Sequence, residues 1–360
     1  MKTTKIFFYL YKTKIIYICI SLIILSLTVQ IVDFIELTQE NINKINFSIK
    51  DIIFMSFLKM PFLINEILPF VIIISTSFYF KNLIDNNELV AMRNLGLSIL
   101  DIFYPVGMAV LTLGIFALFI VNPLSTFSMN YLEKIKKDKV NSSVIKLSDD
   151  NIWIKNKLNN KTLYINAKEM NIKKMELSNL MIIDNERVNP KLFFAESAKI
   201  NEKFMRLKNV KETNIKNNEN KIYETKNIEI NFVQKDILNS LKYYKYIPYY
   251  NYYNYTISMK KLNYLSSEMI LYFLSEIIKP LLLISISFVV TGYVGKFKRN
   301  ENFFKTIFIA ITIGFLLFLI DKVIYSFNVN HIFNFILITI TIPIISFTLG
   351  TILMLRIEKG

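Results

Sequence analysis

The chain has 360 residues, of which 53% are hydrophobic, and these concentrate in blocks near both ends, which predicts a membrane protein carrying a polar insert. The formal net charge is +15, but the basic residues are mostly scattered lysines without an aromatic-interleaved stripe, so nucleic-acid binding is not expected. The chain contains one cysteine, Cys19, and one histidine, His331, which excludes an internal disulfide, a cysteine-based metal site and a Cys/His catalytic or zinc cluster.

Six apolar segments are long enough to cross about 30 Å of hydrocarbon. The first follows several lysines, but it is too long for the apolar region of a signal peptide and lacks a small-residue cleavage site, so a retained transmembrane helix is expected. The fourth begins at Pro280, just after the charged residues Glu276 and Lys279, and residues 266–276 are interpreted as an amphipathic lead-in. The predicted spans are 15–37, 62–82, 101–121, 277–295, 304–326 and 332–355.

Lysines and arginines in the short loops predict the orientation, because these residues concentrate on the cytoplasmic side of a membrane. They are found at the N-terminus, between spans two and three, between spans four and five, and at the C-terminus. Both termini are therefore expected in the cytoplasm, and the long region between spans three and four on the opposite side.

Residues 126–265 are predicted to form an all-β domain of the sandwich or jelly-roll type. Short segments rich in β-branched and aromatic residues recur about every ten residues, with Asn, Asp and Lys between them. Glycine is absent here, so left-handed turns are expected at Asn and Asp. A Tyr-rich stretch, 242–255, either lies at the outer membrane surface or reflects compositional bias.

These elements define the predicted fold class. It is a membrane α-helical protein with six transmembrane helices in two groups of three, and an extracytoplasmic, jelly-roll-like all-β domain inserted between helices three and four. The predicted domains are 1–125, 126–265 and 266–360.

About twenty residues join spans two and three, which is more than a helical hairpin needs. They contain the stretch NNELVAMRNLGLS and are predicted to form a short cytoplasmic helix over 84–97. Gly96 suits the left-handed position that follows a helix end. Ser98, with Asp101 three residues later, is typical of the N-cap that opens the next helix.

Glu88, Leu89 and Met92 are spaced so that they can share one face of this short helix. A carboxylate flanked by apolar side chains is suited to docking a cytoplasmic partner. The alternative is a solvated loop that happens to be helical, and the spacing alone does not decide between the two.

Two further motifs have competing interpretations. Asp321 and Lys322 lie inside span five, where ionisable residues usually face a cavity or a partner. The alternative is that their charged ends reach the membrane interface or that the two charges neutralise each other.

The sequence GYVGKFK at 292–298 is too short for a phosphate-binding loop, and Phe297 follows its lysine, so a basic cytoplasmic turn is expected. The chain is therefore not expected to hydrolyse ATP.

The stretch NELVAMRNLGLSILDIFYPV closely resembles the coupling segment of the LptF/LptG family of lipopolysaccharide-export permeases. The family pattern is a Glu-Leu pair, a small residue, an Arg, a Gly, a Ser, an Ile and a Pro. The matching residues in this chain are Glu88, Leu89, Ala91, Arg93, Gly96, Ser98, Ile102 and Pro105.

The rest of the chain agrees with this family in order. The total length and the sequence VDFIELTQ after the first span are more similar to the LptG branch than to LptF. The other matching positions are Pro69, Pro123, Trp153, Ala195, Ala198, Pro280 and Pro343.

The resemblance implies an ABC-type exporter in the inner membrane of a Gram-negative bacterium. Glu88, Leu89, Met92, Arg93 and Gly96 would couple the chain to a cytoplasmic ATPase dimer, which alone would use ATP, and no cofactor or metal would be bound directly. A paralogous LptF-type permease would complete a cavity, from which lipopolysaccharide passes to periplasmic jelly-roll bridge proteins of the LptC/LptA type.

The substrate cavity is expected to be lined by four charged residues, Asp33, Glu36, Asp321 and Lys322. The basic residues that the family usually has near the outer end of helix one are poorly matched, since Asp33 and Glu36 occupy that place and Lys44 lies further out.

Two other functions were considered. One is a membrane-anchored enzyme that modifies envelope lipids with carboxylates such as Asp33, Glu66 or Asp321, although no pair has diagnostic spacing. The other is a four-helix mechanotransmitting permease, which six predicted spans argue against.

Overall fold

The computed structural model describes residues 2–44, 48–139, 152–157, 162–171, 176–185, 190–201, 204–214, 216–217, 219–230, 242–262, 264–295, 303–327 and 335–358. His331 and the part of the predicted basic turn after Gly295 lie outside these residues. By internal contacts the chain divides into two compact units: Met1–Leu132 with Ser267–Gly360, and Glu133–Ser266.

Helices dominate the first unit, as the apolar blocks predict. Five described helices are long and apolar enough to cross a membrane, and α8 coincides with the remaining predicted span, 304–326. The described helices are α1 (Lys2–Lys44), α2 (Ile49–Asp85), α3 (Glu88–Asn94), α4 (Ile99–Phe116), α5 (Asn122–Lys139), α6 (Tyr252–Lys261), α7 (Ser267–Val294), α8 (Phe303–Phe327) and α9 (Phe335–Glu358), with a π-helical turn, Ala117–Val121, between α4 and α5.

The first two helices are much longer than the apolar segments inside them. α1 has 43 residues and α2 has 37, whereas a membrane span needs about 20. The start of α2 is set by a cap, since the hydroxyl of Ser48 accepts a hydrogen bond from the Asp51 amide and the Asp51 carboxylate accepts one from the Ser48 amide. Helix ends therefore follow local capping, whereas the predicted span limits follow hydropathy.

Close packing joins α7 and α9 in the helical unit. The rings of Phe288 and Phe347 stack with centroids 4.7 Å apart, and Phe103 of α4 meets Phe288 at 4.8 Å. A Cβ atom on Gly350 would overlap the ring of Phe288. Glycine is required at this position because the aromatic ring fills the space that a side chain would need.

The second unit contains a six-stranded antiparallel sheet, which confirms a β domain between the third and fourth spans, although this unit also includes the helix Tyr252–Lys261. The described strands pair in sequence order, so that each strand is hydrogen-bonded to the next one along the chain. They are β1 (Ile152–Lys157), β2 (Thr162–Asn171), β3 (Glu176–Asp184), β4 (Lys191–Ile200), β5 (Phe204–Asn214) and β6 (Asn220–Glu229).

The register of the sheet aligns buried apolar residues across the strands. Ile165, Ile182 and Phe193 are direct neighbours in one row, and Glu212 continues this row on β5. Left-handed asparagines occur in this unit, as the lack of glycine predicts, but Asn179 and Asn209 lie inside strands rather than in turns (φ 52° and 50°).

The Tyr-rich segment forms short 3₁₀ turns followed by α6. Tyr255 is buried, its hydroxyl donates to the Lys242 carbonyl at 3.1 Å, and burial raises its pKa to about 12. Tyr250 and Tyr253 are exposed. Some of these tyrosines therefore pack inside the second unit, and their placement at a membrane surface stays a prediction.

Glu212 is the charged member of the buried row. Its carboxylate accepts from Lys226 and forms an ion pair with Lys191 at 3.0 Å. Burial by itself would raise the pKa of Glu212, but the hydrogen bonds and charges of the two lysines outweigh burial, and the pKa lies below its usual value. The ionised carboxylate therefore stabilises the folded sheet.

We expect Glu212→Gln to lower the free energy of unfolding of the sheet by about 2 kcal/mol at neutral pH. Because the folded pKa is lowered, this stabilisation is present above the unfolded pKa of about 4.3 and is lost as pH falls through the folded pKa. Thermal unfolding of the purified chain and the variant, at about pH 7 and about pH 3, measures the difference. Glu224→Gln, on the exposed side of β6, is the control, and an equal Glu212→Gln deficit at both pH values would contradict the assignment.

Candidate functional site

The predicted cytoplasmic helix is present as α3, which is shorter than the expected 84–97. The chain leaves α2 through a turn in which Asn87 is left-handed (φ 58°). Gly96 is left-handed as predicted (φ 85°). The hydroxyl of Ser98 accepts from the Asp101 amide at 3.0 Å, and the Asp101 carboxylate accepts from the Ser98 amide at 2.9 Å. The seven residues of α3 therefore lie between two left-handed residues, Asn87 before the helix and Gly96 after it.

The two apolar residues of the predicted docking face point into the bundle. Leu89 and Met92 are buried in the same hydrophobic cluster as Phe80, Leu83 and Ile102. The predicted docking face is therefore the face that attaches α3 to α2 and α4. Side chains on the outer face include the exposed Val90, Arg93 and Leu95.

Glu88 lies at the first residue of α3, partly accessible at the surface. Its two carboxylate oxygens accept from the hydroxyl of Tyr9 on α1, at 3.0 and 2.9 Å. The sequence pattern did not identify Tyr9, because 79 residues separate it from Glu88. The carboxylate thus joins α3 to the first transmembrane helix as well as facing outward.

The two acidic residues near the C-terminal end of α1, Asp33 and Glu36, lie in different environments. Asp33 is buried and pairs with Lys59 of α2, and the Ser56 hydroxyl also approaches it, at 3.4 Å. Glu36 is exposed. The partner lysine on α2 neutralises Asp33, so this carboxylate mainly links α1 to α2.

A largely apolar groove of about 310 Å³ lies between α1 and α2 beside this pair. Its shape and lining suit an alkyl chain, and its polar members sit next to Asp33. The lining residues are Leu27, Gln30, Ile31, Phe34, Ile53, Ser56 and Phe57.

Asp321 and Lys322 lie near the end of α8, in an electrostatic environment shared with other charged residues of the bundle. The Lys322 ammonium lies 5.4 Å from the centroid of Phe318, which packs against Phe70 of α2 at 4.9 Å. Lys322 interacts electrostatically with Asp321, Lys279, Glu276 and Glu66. The structure therefore brings Asp321 and Lys322 near Glu276 and Lys279 of α7, whereas Asp33 pairs elsewhere with α2.

A buried polar cluster joins three helices at the start of the fourth span. We call it the Glu276 cluster, and it consists of Asn65, Asn122, Glu276 and Lys279. The Glu276 carboxylate accepts from Asn65 at 2.9 Å, from Asn122 at 3.3 Å and from Lys279. The sequence showed Glu276 and Lys279 only as charges before a proline, and their partners are 154 to 211 residues away.

Each helix in the Glu276 cluster is irregular close to its contributing residue. Pro69 lacks an amide hydrogen, which frees the carbonyl of Asn65 four residues earlier, and Lys279 donates to that carbonyl at 3.4 Å. The π-helical turn ends immediately before Asn122. Pro280 follows Glu276 by four residues. Polar side chains therefore meet where the backbone hydrogen bonding of the helices is interrupted.

We expect Glu276→Gln to lower the free energy of unfolding by about 3 kcal/mol, because it leaves the partly buried Lys279 without its counter-charge. The double variant Glu276→Gln with Lys279→Gln should recover part of this loss, since neither charge is then unpaired. Thermal unfolding of the detergent-purified single and double variants tests this coupling. A double variant as unstable as the sum of the two single changes would show that the charges act independently.

Comparison with known protein families covers almost the whole chain. The model of the family described as "Lipopolysaccharide export system permease LptF/LptG" matches residues 8–356. No curated protein matches the chain. The matched region includes the described helices of the bundle, α3 with Glu88 and the six-stranded sheet. The chain therefore belongs to the LptF/LptG family of lipopolysaccharide export permeases.

Proposed function

We propose that this chain is one permease subunit of an ABC-type exporter that extracts lipopolysaccharide from the outer leaflet of the inner membrane. Family membership supports the transport role, since the family is one of permeases rather than enzymes. The length and the VDFIELTQ sequence favour the LptG type, paired with an LptF-type permease. In this proposal both termini and α3 are cytoplasmic, and the β unit is periplasmic.

The observation that carries the proposal is the construction of α3. Its apolar side is fixed in the bundle by Leu89 and Met92, while Glu88 and Arg93 remain available at the surface. A carboxylate at the first residue of a helix can accept hydrogen bonds from a partner's arginine. A cytoplasmic ATPase dimer that binds here would move α3 and, through the buried contacts, the adjoining ends of α2 and α4.

Movement of this kind can drive transport only if the cavity binds the lipid differently in its two states. The groove between α1 and α2 is suited to an acyl chain, and Lys322 carries a positive charge that suits anionic sugar phosphates. In this proposal Asp321 and Lys322 line the cavity beside α7, whereas the paired Asp33 and the exposed Glu36 lie on α1 beside the groove. ATP-driven closure would then expel the lipid.

The β unit would receive the expelled lipid and pass it to bridge proteins of the LptC/LptA type. Its row of Ile165, Ile182 and Phe193 is apolar and buried, and acyl chains would have to displace what covers this row in order to bind there. Among the described strands β1 and β6 lie at the edges of the antiparallel sheet, where another sheet could be added.

We expect Glu88→Lys to reduce the amount of ATPase that co-purifies with the chain at least about tenfold, because it replaces the acceptor with a repelling charge. Asp85→Lys, an equal charge change at an exposed residue three positions away, should leave co-purification near the wild-type level. The measurement is the ATPase-to-permease ratio in mild detergent. An unchanged ratio for Glu88→Lys would contradict the docking role of α3.

A further inference from the structure

We propose that Tyr9 transmits the movement of the docked ATPase from Glu88 to α1, and that α1 carries this movement as a rigid rod to the groove between α1 and α2. This inference rests on the proposed function, because it assumes that the ATPase binds at α3. It assigns a positioning role to Tyr9, which is not part of the family pattern in the coupling segment.

The first step is that Glu88 can bind Tyr9 and a partner at the same time. A carboxylate offers about four lone-pair positions, and the single Tyr9 hydroxyl proton is shared between its two oxygens. One position on each oxygen remains for a donor from the ATPase. Docking therefore does not need to break the Tyr9 contact, and α1 stays tied to α3 when the ATPase binds.

The second step is that α1 is fixed to the bundle a short distance above Tyr9. Lys14 is fully buried, and its amine donates to the hydroxyls of Ser75 at 3.0 Å and Thr76 at 2.8 Å, both on α2. Thr76 in turn shares a hydrogen bond with Ser287 of α7 at 3.3 Å. Five residues of helix, about 7.5 Å, separate the contact with α3 from this contact with the core.

Tyr79 reinforces the connection between these two contacts. Its hydroxyl donates to the Leu10 carbonyl at 3.3 Å, its ring packs edge-on against Tyr17 at 5.8 Å, and the Lys14 ammonium lies 5.8 Å from its centroid. A force applied at Tyr9 would therefore act on α1 around a pivot formed by Lys14 and Tyr79.

The third step is that α1 can carry the movement without bending. Its 43 residues contain neither proline nor glycine, which are the usual causes of helix kinks. By contrast α2, α4, α7 and α9 each contain proline. The groove-lining residues of α1 begin at Leu27 and end at Phe34, about 37 Å from Tyr9 at its far end.

A displacement of Tyr9 on one side of the pivot would move Leu27 and Phe34 on the other side, against the polar contacts of Asp33 with Lys59 and of Gln30 with Ser56 that hold α1 to α2 beside the groove. That movement changes the width of the groove, which is the property that the transport cycle has to alternate. α1 is thus the element that has two positions. The ATPase shifts the equilibrium between these positions through Glu88, and the lipid shifts it through the groove.

The test is Tyr9→Phe in the complete complex with its ATPase and partner permease, reconstituted in proteoliposomes with lipopolysaccharide. This change removes only the hydroxyl. The ATPase should still bind to within about twofold, but the lipopolysaccharide released per ATP hydrolysed should fall about tenfold, as expected for loss of one hydrogen bond to a carboxylate.

Tyr11→Phe is the matched control. It removes a hydroxyl from the same helix, and that hydroxyl bonds Thr112 of α4 at 3.1 Å instead of α3. It should release lipid with wild-type efficiency. The inference is wrong if Tyr9→Phe and Tyr11→Phe release equal amounts of lipid per ATP, or if Tyr9→Phe loses the ATPase itself.

A distance measurement separates this inference from general destabilisation. Spin labels at exposed Ile35 of α1 and exposed Ile53 of α2, in a Cys19→Ser background, report the width of the groove. ATP should shift the distance in the complex with Tyr9 and leave it unchanged with Tyr9→Phe. An equal shift in both would overturn the rod mechanism, while retention of the ATPase by Glu88→Lys would overturn the proposed function instead.

Discussion

A polar group inside a bilayer has no water to pair with, so it must find its partner within the protein. This constraint explains why the buried charged residues Lys14, Asp33 and Glu276 each bind partners on another helix. Lys14 donates to hydroxyls of α2, and Asp33 pairs with Lys59. The Glu276 carboxylate accepts hydrogen bonds from side chains of α2, α5 and α7. Since apolar packing between helices gains little in lipid, these pairs help fix which helices are neighbours.

The same constraint marks where the bundle is rigid and where it can move. In the Glu276 cluster, several polar contacts hold α2, α5 and α7 together at irregular turns, and Gly114 packs directly on Pro280, where a Cβ atom would lie 2.8 Å from its Cα. α1 is held to α2 and α4 by polar contacts spread along its length, at Tyr11, Lys14 and Asp33, and much of its surface is exposed and apolar. We infer a fixed group of α2, α5 and α7 and a movable α1, with α3 attached to α2 through its buried face and to α1 through Glu88.

Much of this architecture could be predicted from local sequence patterns. Hydropathy located the spans, short segments rich in β-branched and aromatic residues located the β insert, and Ser98 with Asp101 located the start of α4, because each signal is contained within neighbouring residues. The family resemblance rested on the same local stretch around Glu88. These features depend on interactions between residues that are close in the sequence, so they can be predicted without the tertiary structure.

Other features could not be predicted because they depend on residues far apart in the chain. The contact between Tyr9 and Glu88 spans 79 positions, and that between Asn65 and Glu276 spans 211. The inward orientation of Leu89 and Met92 is set by the neighbouring helices, so helical spacing alone could not distinguish a docking face from an anchoring face. The extents of α1 and α2 exceeded the predicted spans because polar residues continue a helix that hydropathy has already ended.

The most direct test of the central claim is to purify this chain in mild detergent from its native envelope and identify what accompanies it by mass spectrometry. The account predicts a soluble ABC ATPase, a second homologous permease and bound lipopolysaccharide. Recovery of the chain without an ATPase, under detergent conditions that preserve other membrane complexes of the same envelope, would contradict it.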